Sequence, residues 1–183
     1  MSRRLLLIAA ALTVGALGAC EQGKTTPVAL TSKMADSADQ VMFKARSLLT
    51  DRGLLRAELL ADTAFFFDEN TRIELIVVKV TFFTQQGAKS SVLTAKEGSY
   101  NTRLGSMEGR GNVIVVSVDG RRLVTEQLRY DEVRNEISSD SAFVMTEPGN
   151  TLRGIGFVSD PDMTNIRVLK GASGRGAVTV PGQ

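Results

Sequence analysis

The chain has 183 residues, room for one domain with a substantial core, and a formal charge of only +2. It contains no histidine and a single cysteine, which excludes His-based triads, His-ligated metals and an internal disulfide. Arg3 and Arg4 lie in a segment expected to be removed, and the remainder is charge-balanced, so nucleic acid is not an expected partner.

The first 24 residues, "MSRRLLLIAAALTVGALGACEQGK", have a basic head, an apolar run from Leu5 to Leu17 and then small residues. That is the layout of a secretory signal. The run is short for a spanning helix, which needs about 20 residues. Its end, Leu17-Gly18-Ala19-Cys20, resembles a bacterial lipobox, in which the cysteine is lipidated and the chain is cut before it. Residues 1–19 are therefore expected to be a lipoprotein signal peptide, with Cys20 as the lipidation site and membrane anchor. The alternative is an ordinary free cysteine behind a signal peptide. Residues 20–39, polar and containing Pro27, read as a flexible tether.

From residue 40 the chain reads as strands and turns. "QVMFKARSLLTDRG" is a strand or a short helix, its apolar spacing fitting both. It turns at Asp51-Arg52-Gly53 into "LLRAELLAD", with Leu55, Ala57 and Leu60 on one face. "VVKVTFFTQQGAKSS" passes through a Gly87 loop into "LTAKEGSYN". "NVIVVSVDGRR" passes through Asp119-Gly120, a strong hairpin signal, into "LVTEQLRYD". "AFVMTEPGNT" passes through Pro148-Gly149-Asn150 into "LRGIGFVSD". A last strand, "TNIRVLKG", follows the turn "SDPDM". The segment "GASGRGAV" loosely resembles a phosphate-binding glycine loop, but it lacks the Lys-Ser/Thr ending. Residues 172–183 read as a flexible tail.

The return strands share one phrase. "LVTEQLRYD" places Leu123, Thr125, Leu128 and Tyr130 at i, i+2, i+5 and i+7. Leu93, Ala95, Gly98 and Tyr100 repeat the spacing, as do Leu152, Gly154, Phe157 and Ser159. Residues i and i+2 of a strand share a face. The odd step from i+2 to i+5 flips that face, and a β-bulge restores it. Each phrase is thus a strand, a corner and a strand again, in four hairpin-like units of about 30 residues.

One face of these strands is apolar. It carries Val78, Val80 and Phe82, then Val113 and Val115, then Phe143 and Met145, with Leu93, Leu123, Leu152 and Phe157 on the return strands. Lys79, Thr81, Arg129 and Arg153 point outward. Phasing at 113–118 is ambiguous, because Ile114, Val116 and Val118 are apolar too. The inward set fills a sandwich core, lines a groove, or does both if the sheet halves open. The acidic pairs Asp68/Glu69 and Asp131/Glu132 lie beside turns and read as solvated. No catalytic residue, metal site or cofactor is expected, and the chain does not read as an enzyme.

The stretches "LLRAELLADTAFFFDENTRIEL", "VVKVTFF", "LTAKEGSYN", "MEGRGNVIVV", "DGRRLVTEQLRYDEVRNEISSD" and "NTLRGIGFVSDPDMTNIRV" stand in an order and spacing that resembles the LptC family of lipopolysaccharide exporters, and more widely the LptA/OstA-like β fold. The likeness covers roughly 38–171. It implies an all-β fold over 40–171, a twisted antiparallel β-sandwich or half-open jelly roll. It implies that acyl chains of lipopolysaccharide or a similar lipid lie between the sheet halves, against the apolar set above. It implies an inner-membrane ABC exporter and a periplasmic LptA-like protein as partners, docked edge to edge. The candidate edges are the strand near 41–49, with Val41 and Phe43, and the last strand, with Ile166, Arg167 and Val168. Unpaired edge N–H and C=O groups recruit other strands, which in a bridge protein is the function. Better-known members hold the inner membrane with an uncleaved N-terminal helix, whereas here the anchor is expected to be a lipid on Cys20. Glu21 is not the aspartate usually linked to inner-membrane retention, yet the resemblance favours a periplasmic domain tethered to the inner membrane. The alternative function is a scaffold lipoprotein that binds protein or surface glycan through the same β fold.

Overall fold

The computed structural model describes residues 34–175. The expected signal peptide, Cys20 and most of the tether lie outside them. A helical turn at 34–37 precedes the sheet, and Asp39 is already tied to it, donating its N–H to the Phe66 carbonyl at 2.8 Å.

Nine strands follow: β1 (Gln40–Asp51), β2 (Leu54–Phe67), β3 (Arg72–Phe83), β4 (Lys89–Asn101), β5 (Ser106–Ser117), β6 (Arg122–Asp131), β7 (Glu136–Glu147), β8 (Asn150–Ser159) and β9 (Arg167–Arg175). Each pairs antiparallel with the next, so the sheet is a continuous meander in chain order. The region left open between strand and helix is strand β1. Its apolar spacing fits either element, and pairing decides: its backbone runs along β2 from Gln40↔Phe66 to Asp51↔Leu54. The fold is the expected all-β one.

Every strand breaks its ladder at the same level. Phe43↔Thr63 is followed by Ala45↔Ala61, and Thr63↔Ile76 by Ala61↔Val78. The later ladders shift between Thr94 and Glu97, Arg110 and Val113, Thr125 and Arg129, Ser139 and Ala142, and Arg153 and Ile155. Left-handed backbone marks the same line, at Lys44, Val77, Gly111, Asn112, Gly156 and Gly171. Aligned bulges bend each strand in turn, so the sheet creases into two leaves. The first leaf holds 63–67, 72–76, 97–101, 106–110, 128–131, 136–139 and 157–159. The second holds 54–61, 78–83, 89–95, 113–117, 122–125, 142–147 and 150–154.

The crease explains the odd step in the repeated phrase. The buried series passes from Ala95 to Gly98 on β4 and from Thr125 to Leu128 on β6, and on β8 the half-buried Gly154 leads to the buried Phe157. On β5 and β7 the step is four, Gly109 to Val113 and Ser139 to Phe143, because two residues rather than one leave the ladder. Breaking the ladder exposes backbone groups that need partners. Thr125 and Ser139 supply some: Thr125 Oγ1 donates to the Ala142 carbonyl at 3.0 Å, and Ser139 Oγ to the Gln127 carbonyl at 2.6 Å.

Two expectations need correction. On β2 the inward residue is Leu59, not Leu60, because this strand keeps its alternation past Leu60 and creases at Asp62. The last strand begins at Arg167 rather than Thr164 and runs to Arg175. Residues 172–175 therefore belong to the sheet, with Leu152↔Gly174 and Thr151↔Arg175 in register. Gly171, at φ 63°, carries β9 across the crease, and the free edge of β8 supplies the pairing that small residues do not specify by themselves.

Candidate functional site

The interior between the leaves is one contiguous apolar cluster. All eleven residues read as inward from the sequence lie in it: Val78, Val80, Phe82, Leu93, Val113, Val115, Leu123, Phe143, Met145, Leu152 and Phe157. The ambiguity on β5 is resolved by which residues face the other leaf. Val113 and Val115 are wholly buried, whereas Val116 and Val118 are 41% and 69% exposed. Leu59, Leu75, Met107, Leu128, Tyr130 and Ile137 complete the lining.

Aromatic contacts hold the leaves together. Phe82, on the second leaf, meets Tyr130, on the first, in an edge-on pair with centroids 4.9 Å apart. Phe143 and Phe157 repeat this between β7 and β8, also at 4.9 Å. Gly98 and Gly154 sit where the leaves leave no room for a side chain. A Cβ at Gly154 would lie 2.5 Å from Val168 Cγ1, and one at Gly98 would lie 3.0 Å from Val78 Cγ2.

The interior is filled. The void bounded by Leu59, Leu75, Val78, Phe82, Leu128 and Tyr130 is about 20 Å³, about enough for one water. Burial pushes the Tyr130 phenol up to about 12, helped by the nearby charge of Glu132. Tyr100 is also pushed up to about 12, by burial and by Glu132, whose carboxylate accepts its hydroxyl at 3.2 Å.

The outer face of the first leaf is polar. Arg110 and Arg129 both reach Glu108, Arg129 continues to Asp140, and Arg72 bridges Asp68 and Glu74. Arg72, Glu74, Glu108, Arg110 and Arg129 border an open hollow of about 300 Å³. This ladder is solvated and self-neutralising. Among the described residues no group of three or more Cys, Asp or Glu is placed to hold a metal ion, and no helix is long and apolar enough to cross a membrane.

The sheet ends in two edges. β1 pairs only with β2, and β9 only with β8, among the described residues. On β1, Phe43 is 75% exposed and Val41 half-buried. On β9, Arg167 is exposed, and Val168 is half-buried against the core. Ile166 is not part of this edge. It precedes the strand and packs against the core, since the 160–166 loop turns it inward.

That loop is the feature the sequence does not announce. "SDPDM" reads as a plain turn, yet Met163 is only 1% exposed and belongs to the core cluster. Ser91 Oγ donates to the Pro161 carbonyl at 2.6 Å, and Arg121 Nη1 to the Met163 carbonyl at 2.8 Å. The signal, in hindsight, is an apolar residue standing alone in a polar turn.

Comparison with known proteins agrees with the geometry. Residues 5–176 match the family described as lipopolysaccharide-assembly, LptC-related. No curated protein matches the chain. Among solved structures it is similar to LptH of Pseudomonas aeruginosa, the LptA-homologous periplasmic component of the lipopolysaccharide transport device. The identity is 17%, with 66% of this chain and 86% of that one covered and a TM-score of 0.51, a likeness of fold. A match across nearly the whole length decides the family: the chain belongs to the LptC family of lipopolysaccharide-assembly proteins.

Proposed function

We propose that this protein is a periplasmic bridge that holds lipopolysaccharide by its acyl chains between the two leaves. It receives the lipid from an inner-membrane ABC exporter and passes it to an LptA-like partner of the same fold. The observation that carries this reading is an apolar interior that runs through all nine strands and ends, among the described residues, at an unpaired edge on either side. Acyl chains buried in such an interior gain about 25 cal/mol per Å², so several chains bind firmly without a dedicated polar contact. The edges supply backbone donors and acceptors for strand addition by neighbours. Nothing in this role calls for catalysis.

The filled interior makes the leaves, rather than a preformed pocket, the moving part. Lipid replaces contacts between leaves by contacts between leaf and chain, both apolar. The exchange therefore costs little once the leaves have parted. The test is lipopolysaccharide capture by the full chain in detergent micelles. Val80→Glu places an unpaired carboxylate among the acyl chains, at a cost of several kcal/mol. It should lose most of the captured lipid while circular dichroism still reports a β fold. Undiminished capture by the folded variant would refute an internal lipid path.

The membrane tether is proposed on Cys20. Acyl groups contribute about 0.8 kcal/mol per buried methylene, and stable anchoring takes more than one chain. Cys20→Ser should abolish incorporation of labelled palmitate and release the protein into the periplasmic fraction. Full membrane retention would show that another anchor exists.

A further inference from the structure

The 160–166 loop leaves the first leaf at Ser159 and returns to it at Arg167, yet its hydrogen bonds to distant residues both reach the second leaf. Ser91 lies on β4 and Arg121 at the β5–β6 turn, on the rim opposite the crease. The loop therefore straps one leaf to the other across the side where they would part. We propose that it is a displaceable strap, with Met163 as a plug occupying the seat that an acyl chain takes beside the β4 and β5–β6 rim. This rests on the reading of the interior as a lipid path.

Four observations support it. Met163 is fully buried in the shared core, and an unbranched thioether side chain has the shape and softness of a short stretch of acyl chain. Its backbone sits at φ 60°, a left-handed conformation uncommon for a non-glycine residue, held by the loop's own turn on Asp160. The loop's internal structure does not depend on docking. Asp160 accepts hydrogen bonds from the Thr164 N–H at 2.7 Å, the Asn165 N–H at 3.1 Å, the Asn165 side chain at 2.7 Å and the Thr164 hydroxyl. The Met163 N–H also bonds the Asp160 carbonyl at 3.0 Å. The loop can thus lift as a unit, giving up the Ser91 and Arg121 hydrogen bonds and the core contacts of Pro161, Met163 and Ile166. Finally, the void of about 20 Å³ in the shared interior has no room for a lipid, so loading requires apolar contacts between the leaves to be given up.

Arg121 sets how firmly the strap is held. Its guanidinium is fixed by Asp119, which leaves Nη1 aimed at the Met163 carbonyl. Arg121→Gln removes that donor without touching the apolar lining.

Methionine oxidation followed by peptide mass spectrometry tests the proposal on the full chain in micelles, with and without purified lipopolysaccharide. Met42, 39% exposed, is the reference that oxidises readily in either state. Without lipid, Met163 should be protected. In lipid-loaded protein it should oxidise at least about ten-fold faster, as expected of local opening. Arg121→Gln should raise its oxidation several-fold before any lipid is added. Bound lipopolysaccharide is quantified in the same samples. If the protein loads lipid and Met163 stays protected, the strap is overturned while the lipid path stands. If the protein loads no lipid, the lipid path itself fails and the strap with it.

Discussion

The edge of the Phe82 ring meets Tyr130 at 4.9 Å between centroids, and the two residues belong to strands three apart on opposite leaves of one sheet. Adjacent strands place neighbours side by side, but only a sheet folded over on itself brings β3 against β6. An aromatic pair of this kind adds about 0.5–1.5 kcal/mol beyond its buried area. Phe82→Ala also leaves a cavity, and the total loss should be about 3–5 kcal/mol in denaturant unfolding. Tyr130→Phe keeps the ring and loses only the hydroxyl bond to Asn135, so its loss should be about 1 kcal/mol. Equal losses would mean that the ring contact does not hold the leaves together.

The same closure should be visible in alkali. The chain has only two tyrosines, Tyr100 and Tyr130, and burial pushes both up to about 12 from an ordinary 10.0. A phenol with a raised folded pKa adds stability that is fully present below pH 10 and is lost as the pH climbs from 10 to about 12. Ultraviolet titration of the native protein should show little phenolate at pH 10.5 (roughly a quarter of the way along that window). Half-ionisation near pH 10 in a folded sample would mean that the leaves stand open to water.

Gly154 should tolerate no side chain. Alanine there meets Val168 and Phe143, and overpacking of this kind costs about 1–3 kcal/mol. Val168→Ala removes the obstructing methyl groups. A double-mutant cycle should therefore show the pair recovering part of the loss, with strong coupling. Simple additivity would contradict the close approach of β8 and β9.

How much of this was legible in the sequence depends on what each feature rests on. The strands were legible, since β-branched and aromatic residues alternate between turn residues. So was the crease on β4, β6 and β8, because an odd step in an apolar series has few other meanings. Val113 and Val115 were not separable from Ile114 and Val116, since both series are equally apolar and only the facing leaf selects one. Leu59 was misread as Leu60 for the same reason: two leucines stand side by side, and Asp62 sets the corner. The end of β9 was hidden because "GASGR" has weak strand preference and is held by β8. Met163 was hidden because its loop is tied down by Ser91 and Arg121, which lie 72 and 42 residues before it in the chain.

The edges should divide the partners. A proline at Arg167 removes one donor and disturbs a continuing ladder. Arg167→Pro should weaken binding of the LptA-like partner while leaving lipid capture by the isolated chain intact. A photoreactive residue at 167 should crosslink to that partner, and one at 43 to the exporter side. Crosslinks to the LptA-like protein from position 43 alone would reverse the assignment of the edges.

The central claim is that lipid travels between the leaves rather than over them. In-cell photocrosslinking tests it directly, with benzoylphenylalanine replacing Phe143, which faces inward, or Val116, which faces outward. Position 143 should give a lipopolysaccharide-bearing band and position 116 none. Lipopolysaccharide captured from 116, with none captured from 143 in a protein that still folds, would place the lipid outside the leaves and contradict the account.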